Sequence, residues 1–533
     1  MKKTLLTAFA LCSLSIANAQ MKDGVQARVY AYDLQQVLGE KVLEEGAIKS
    51  YSLKFKTNTA ATSASVSLKD ENGNVKYTVP ATSTDDKNWT AVVDAKILND
   101  LGAMVDAGEY TWEATVSGNP IESFIELATP YYPYRSIGLT VNTSPESDYF
   151  GTVYLANQAT TTGRMAKGIY AYNPLLEQTN YKSFDFVGDN AKFSSPRDMN
   201  ISEDGRLFLT NYDKAKSNVY WVSPDLNTSG ALFGGTLDTS TGKHTDGNGN
   251  YISGLCNGIA VRGGGDNTQL YVTDHSKGAA DASYVMRYDI GDATTWTSVA
   301  DWELNSFSDV NSNTVSKLAG STGNSWHAME TTKNGFWVAA YRGNPTVGYP
   351  DLMYYNEVTG NRDFVSTDLI TTNVVSHSQN AIGLAVNERL GLLAYTVHVN
   401  AGTDIYARVL NFKEINNKMT VSYVGDYNMV TPMKKKVDAM AFDYAGNLYV
   451  VTSDAERFTA FALPIADNTC TTPAKSSLKV ELTAEDIATG VDEIKENVNA
   501  PVEYYNLQGV KVENPTKGIF IKKQGTKATK VVL

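Results

Sequence analysis

Apolar and polar residues alternate with period two from Tyr51 onward. Tyr51, Leu53 and Phe55 share one face, Val66 and Leu68 form a second run, and Val75, Tyr77 and Val79 a third. This is the spacing of half-buried strands. Asn72-Gly73 separates the last two runs, the dipeptide a type I′ hairpin favours because both central residues need positive φ. A further strand, Tyr110 to Val116, follows Ala107-Gly108-Glu109. The pattern predicts a small β-sandwich over residues 20–129. Beyond it the chain repeats one phrase: a short apolar strand, a turn that often carries Gly, and a second strand rich in Val, Leu and aromatics. The copies are IGLTVN from Ile137, RDMNIS from Arg197, NGIAVR from Asn257, HAMETT from His327, IGLAVN from Ile382 and DAMAFD from Asp438. A step of roughly 55 to 70 residues with four strands per unit predicts a six-bladed β-propeller over residues 130–466. The fold class is therefore all-β.

The third unit shows the template most fully. Gly258 to Val261 is followed by the Gly263-Gly264-Gly265 turn, then strands Leu270 to Thr273, Tyr284 to Tyr288 and Thr295 to Val299. Two segments compete for the fourth strand of the last blade. One is Ser477 to Leu482; the other is the incoming chain near Ile125 to Ala128, which would close the ring by strand exchange. Long inserts precede three inner strands, at Leu226 to Leu255, Leu304 to Ser325 and Asn361 to Gln379. In a propeller these connections lie on the face where the channel opens, where loops tend to carry function. Residues 467–500 are expected to be a polar linker and a pre-tail strand, and residues 501–533 a separate C-terminal segment.

The start of the chain narrows its address. Lys2 and Lys3, an apolar run from Leu5 to Ile16, and small residues at Ala17 and Ala19 before Gln20 predict a signal peptide over residues 1–19. The run is too short to span a bilayer, which takes about 20 apolar residues, so no membrane span is expected. Without Lys2 and Lys3 the formal charge moves from −12 to −14 and no basic cluster is long enough to track a phosphate backbone, which argues against nucleic acid as a partner. Cys256 and Cys470 are the cysteines left after the leader, and their spacing implies no disulfide.

If the repeats close, their first residues ring one mouth of the channel: Ile137, Arg197, Asn257, His327, Ile382 and Asp438. Four of these are polar. A guanidinium, an amide, an imidazole and a carboxylate at one opening suit an anionic or polyhydroxylated ligand, with Arg197 as bidentate donor and Asn257 as donor and acceptor. His327 and Asp438 form a candidate proton-transfer pair. Trp326 adjoins His327 and offers a stacking face. The competing view is that inner-strand starts are solvated in every propeller and merely hydrate the channel. Asp246-Gly247-Asn248-Gly249-Asn250 opens like a calcium loop, but Tyr251 stands where Gly is needed and Asn257 where a bidentate Glu is needed, so a plain turn is expected. The histidines never occur as H-x-x-x-H or H-E-x-x-H, and no G-x-S-x-G elbow exists.

Three resemblances add to this reading. The phrase AGEYTWEATV resembles the immunoglobulin-like domains of the flagellar-hook-capping type, which implies an Ig-like fold for residues 20–129. Residues Thr489 to Ile494, Tyr504-Tyr505-Asn506-Leu507-Gln508-Gly509, and Gly518-Ile519-Phe520-Ile521 before a lysine-rich end resemble the C-terminal sorting-type (type IX-like) domain of secreted Bacteroidetes proteins. That resemblance implies export machinery as a partner and an extracellular or cell-surface location. Asn257-Gly258-Ile259-Ala260-Val261 followed by Leu270 to Asp274, and Asp438-Ala439-Met440-Ala441-Phe442 followed by Gly446 to Val450, resemble the regucalcin/gluconolactonase and NHL-type propellers. There the positions matching Asn257 and Asp438 bind a divalent cation. Val437 and Ala439 replace the Pro and Gly of the second motif, and Ile137 stands where that family has a Glu ligand, so no metal or other cofactor is expected. The leading expectation is a non-enzymatic binding protein for a glycan, small molecule or surface protein. The alternatives are a lactonase-like hydrolase or lyase using His327 and Asp438, and a structural surface or adhesin protein.

Overall fold

Each repeated phrase forms the first strand of an antiparallel sheet, because its third residue is apolar and finds a neighbouring sheet to pack on. Leu139, Met199, Ile259, Met329, Leu384 and Met440 occupy that position and all are buried. The computed structural model is all-β. It describes residues 20–533 apart from 44–45, 95–104, 130–132, 134–135, 159–164, 185–195, 275–283, 304–307, 310–326, 341–351, 367–368, 370–382, 400–403, 430–436, 453–456, 481–500 and 525–526. The signal-peptide reading, Trp326, Ile382, Thr489 to Ile494 and most of two inserts lie outside the described residues, as do the side chains of Ile137 and His327.

The first sheet runs in sequence order through Ser136–Val141, Val153–Asn157, Gly168–Tyr172 and Gln178–Ser183. The same meander recurs from Pro196–Ile201, from Cys256–Arg262, from His327–Thr332 and from Leu384–Asn387. The last comprises Ala439–Phe442, Leu448–Thr452 and Arg457–Ala462, and its outer strand is Ile125–Glu126. Adjacent inner strands pack in order, and Ala439–Phe442 packs back on Ser136–Val141. A circle of radial sheets built this way is a β-propeller. Second strands such as Val153–Asn157, Leu207–Asn211 and Leu448–Thr452 are buried at every position, because sheets cover both faces. The outer strand Gln178–Ser183 is mostly exposed.

The circle closes by strand exchange, with Phe461 opposite Glu126 and Ala462 opposite Ile125. Phe124 stacks on Phe461 at 4.7 Å between ring centroids, and on Tyr427 at 5.0 Å. The other candidate segment is used elsewhere. Thr469–Pro473 and Leu478–Val480 both pair with Gly108–Ser117 of the N-terminal sheet, so half of the expected polar linker from Asn468 to Ser477 is strand. The reason is visible in the burial, since Cys470, Thr472, Leu478 and Val480 sit in that sheet's core. Two smaller readings also change. The third sheet's fourth strand is Trp302–Glu303, not Thr295 to Val299, because Trp296 turns inward and bridges Phe233. At Asn72-Gly73 only the glycine takes positive φ, and the connection is a five-residue turn in which Asp70 Oδ1 accepts from the Asn72 and Asn74 amides.

The N-terminal unit orders its strands Ala31–Leu43, Gly46–Thr57, Asn88–Asp94, Val75–Ser83, Ser63–Lys69 and Gly108–Ser117. Tyr51, Leu53 and Phe55 are buried with Val66, Leu68, Trp89 and Trp112, as the period-two pattern requires. The C-terminal sheet comprises Val502–Tyr505, Lys511–Val512, Ile519–Gln524 and Lys527–Val532. In its Tyr-Asn-Leu-Gln-Gly turn, Asn506 Oδ1 accepts from the Gln508 and Val510 amides, and Gly509 supplies a φ of +81° that other residues avoid.

A set of asparagines clasps the N-terminal unit to the last propeller sheet. Asn447 accepts from the Arg28 amide at 2.9 Å and donates to the Arg28 carbonyl at 2.8 Å. Asn468 likewise joins Val29 and Ala27, and the Arg28 guanidinium donates to the carbonyls of Leu463 and Pro464. Beneath Asn447 lies Asp443, fully buried, with its carboxylate accepting from Asn447 Nδ2 and from the Ala445 and Asn447 amides. Burial pushes this carboxyl up to about 7, against the hydrogen bonds that favour its charge. A raised acid contributes stability fully at pH values below its unfolded pKa, and that contribution is lost as pH rises through about 7. Urea unfolding is therefore expected to show stability declining from pH 5 to pH 8, with a shallower decline in Asp443→Asn. An unchanged slope in that variant would remove Asp443 as the cause.

Candidate functional site

The ringed mouth is assembled from strand starts, so closure of the circle decides what meets there. Arg197 lies in Pro196–Ile201, and Asp438 directly precedes Ala439–Phe442. Their sheets flank the one that begins at Ser136–Val141, yet the two charges come within electrostatic reach. Burial lowers the Arg197 pKa, while Tyr212 and Asp438 raise it. The guanidinium carbon sits 5.6 Å from the Tyr212 ring centroid, a cation–π distance. Burial in turn raises the Tyr212 phenol, with Arg197 opposing it.

The other ring positions differ in openness. Arg197 is half-buried, but Asn257 and Asp438 are only 2% and 5% exposed. The Asn257 carbonyl accepts from Thr210 Oγ1 at 2.7 Å, and the Asp438 amide donates to the Val451 carbonyl. His327 begins its strand opposite Ala340, which puts it at the same end of the sheet as the other starts. Thus Arg197 and Asp438 are brought together, and Asn257 sits in the wall of the same end. The insert Leu226 to Leu255 also lies beside this end. Its Ser229–Ala231 stretch is the outer strand of the second propeller sheet, and the rest folds as a three-stranded sheet of Thr236–Asp238, Lys243–Thr245 and Tyr251–Ser253. Its Asp246 to Asn250 stretch is a turn, with Asp246 accepting from the Asn248 and Asn250 amides and from Asn250 Nδ2.

The residues present fit a cation poorly at this mouth. Asn257 and Asp438 offer two donors where calcium takes six to eight, and the Arg197 charge lies near Asp438. Among the described residues no three His, Cys, Asp or Glu side chains gather where they could hold a metal ion. Cys256 and Cys470 are both buried free thiols in different units.

Two carboxyls inside the channel escaped sequence reasoning. Asp198 Oδ2 accepts from the Ile259 amide at 3.0 Å and its Oδ1 from the Met199 amide at 2.9 Å. Glu330 Oε2 accepts from Asn200 Nδ2 at 3.1 Å. A small void of about 10 Å³ touches Asp198, Glu330 and Asp438, close to the room one water needs. Burial raises Asp198 well above the usual carboxylate range despite its two amide donors, and pushes Glu330 up to about 8. The repeats carried a signal for both. At the second phrase position Asp198 stands among Gly138, Gly258, Ala328, Gly383 and Ala439, and at the fourth Glu330 is the one acid.

A large cavity lined by described residues opens at the other end of the channel, where the sheets' first turns meet the N-terminal unit. It encloses about 1060 Å³ and reaches from Glu330 and Asn200 out to Glu203, Asp266, Glu388 and Pro473. The ring phrases do not point to it, because it is built from the turns that end each inner strand. Among the described residues no helix is long and apolar enough to cross a membrane.

No family model and no curated protein matches the chain. Solved structures do. A calcium-binding regucalcin from Agrobacterium tumefaciens is 12% identical, with 63% of this chain and 92% of that chain covered at a TM-score of 0.35. A glucose dehydrogenase is 10% identical over 64% of this chain and 99% of its own, at a TM-score of 0.36. AztD from Citrobacter koseri is 8% identical over 73% and 87%, at a TM-score of 0.24.

Proposed function

We propose that the chain is an exported binding protein: an Ig-like unit, a six-bladed propeller and a sorting-type C-terminal sheet that delivers it to the cell surface or beyond. Its ligand, a glycan, small anionic molecule or surface protein, sits across the mouth marked by Arg197, Asn257, Trp326, His327 and Asp438. The observation that carries this reading is the convergence of Arg197 and Asp438, 241 positions apart in the chain, at one opening. A guanidinium over an aromatic ring can pair with a ligand carboxylate, and a neighbouring carboxylate can accept from ligand hydroxyls. The test is a panel of lactones, uronides and glycans, assayed for binding and for product with wild type and His327→Ala. Binding without turnover supports a binder. Turnover that disappears in His327→Ala would replace it with a hydrolase or lyase in which His327 and Asp438 move the proton.

A further inference from the structure

The cavity at the far end of the channel has a chemistry of its own. Three of its turn side chains are already committed to the protein. Asn142 donates to Ser147 and accepts from the Ser144 amide, Ser202 donates to Asp204, and Asn387 donates to the Asp443 carbonyl and accepts from the Leu390 amide. Two of its cations are committed as well. Arg262 pairs with Glu357 at 2.6 Å and donates to the Thr332 carbonyl, while Arg389 lies 4.0 Å over the Tyr444 ring and donates to its carbonyl. Among the charged groups left facing the space, carboxylates predominate. Glu203 and Asp266 stand at the rim with no hydrogen bond or ion pair from a described side chain, and Lys333 is the cation among them. At the inner end Glu330 keeps one bond to Asn200 and has no ion-pair partner among the described residues.

We propose that this cavity is a second ligand site, for an organic cation with ammonium or guanidinium ends, anchored on the Glu330 carboxylate where the cavity meets the channel. A cation finds at the bottom an acid with no ion-pair partner among the described residues, and two carboxylates at the entrance. The volume, about 1060 Å³, matches sites that take small organic ligands. A metal ion is disfavoured by the lack of a cluster of three ligands among the described residues.

The charged surroundings of Glu330 make binding proton-linked. The titratable groups facing it along the channel are Asp198, on Pro196–Ile201, and Asp438, before Ala439–Phe442. Ser136–Val141 and Leu384–Asn387 present none, and Cys256–Arg262 brings Arg262, held by Glu357. With its carboxyl pushed up to about 8, Glu330 holds a proton at pH 7. An ammonium or guanidinium that pairs with the ionised form displaces that proton to solvent.

The test is calorimetric titration of the full chain with 1,4-diguanidinobutane, whose charges do not titrate in the working range, in buffers of differing ionisation enthalpy. Binding should release close to one proton at pH 7 and almost none at pH 9.5. Glu330→Gln, which keeps an acceptor for Asn200, should bind at least tenfold more weakly and release none. Glu203→Gln should weaken binding a fewfold while leaving the proton release intact, which separates anchoring from general loss of structure. Failure of the dication to bind, equal proton release in Glu330→Gln, or the same linked proton with calcium chloride instead of the dication would each overturn the site.

Discussion

A chain lacking residues 20–129 is expected to yield no cooperatively folded propeller. Removing them takes Ile125–Glu126 from the last sheet and leaves the edge of Arg457–Ala462 unpaired. It also strips Thr469–Pro473 and Leu478–Val480 of the strand they pair with. Asn447 and Asn468 lose the backbone groups of Ala27 to Val29 that satisfy them. Each buried polar group left unpaired costs about 1–3 kcal/mol, so the lost pairings together are comparable with the 5–15 kcal/mol margin typical of a folded protein. An open apolar edge adds an aggregation hazard. Circular dichroism melting and size exclusion of residues 130–533 check this. A monomer with the melting temperature of the whole chain would show that the circle closes without its N-terminal strand.

Trp337→Ala is expected to cost about 3–5 kcal/mol, in the range for large aromatic truncations. Trp337 is fully buried between two sheets, with Tyr354 at 4.8 Å, Phe412 at 5.6 Å and Phe364 at 5.7 Å between ring centroids. Its indole Nε1 has no hydrogen-bond partner among the described residues. Trp337→Phe should therefore cost much less, since it keeps a ring and removes an unsatisfied donor. Guanidinium unfolding midpoints of the two variants give the comparison. Equal losses would mean that the packing around the indole is not what stabilises this junction.

The repeats made the architecture legible because a propeller sheet needs the same apolar residue at the same place in every copy. Leu139, Met199, Ile259, Met329, Leu384 and Met440 obey that need and set the register of the phrases. Alternation at Tyr51, Leu53 and Phe55 was equally direct, since one face of that strand packs on a core. Strand exchange left two candidates open because Ile125–Glu126 is two residues long, too short for periodicity to register. Cys470 and Thr472 were hidden by their polar neighbours: a strand that buries only alternate small residues reads like a linker. At the mouth, Arg197 and Asp438 stood out as polar starts of apolar strands. Asp198 and Glu330 did not, because they lie one and three positions inside their phrases, among residues that read as ordinary strand. The far cavity depends on how separate turns and the N-terminal unit meet, a relation between distant segments that local pattern does not encode.

The binding account stands or falls at Arg197. The most direct measurement is the affinity of whichever uronide or glycan the panel retains, for wild type, Arg197→Ala and, at the other end of the channel, Glu203→Gln. Losing a hydrogen bond to a charged group costs about 1.5–3 kcal/mol, so Arg197→Ala should bind at least tenfold more weakly while Glu203→Gln binds as wild type does. Undiminished affinity in Arg197→Ala would contradict the ringed mouth as the binding site.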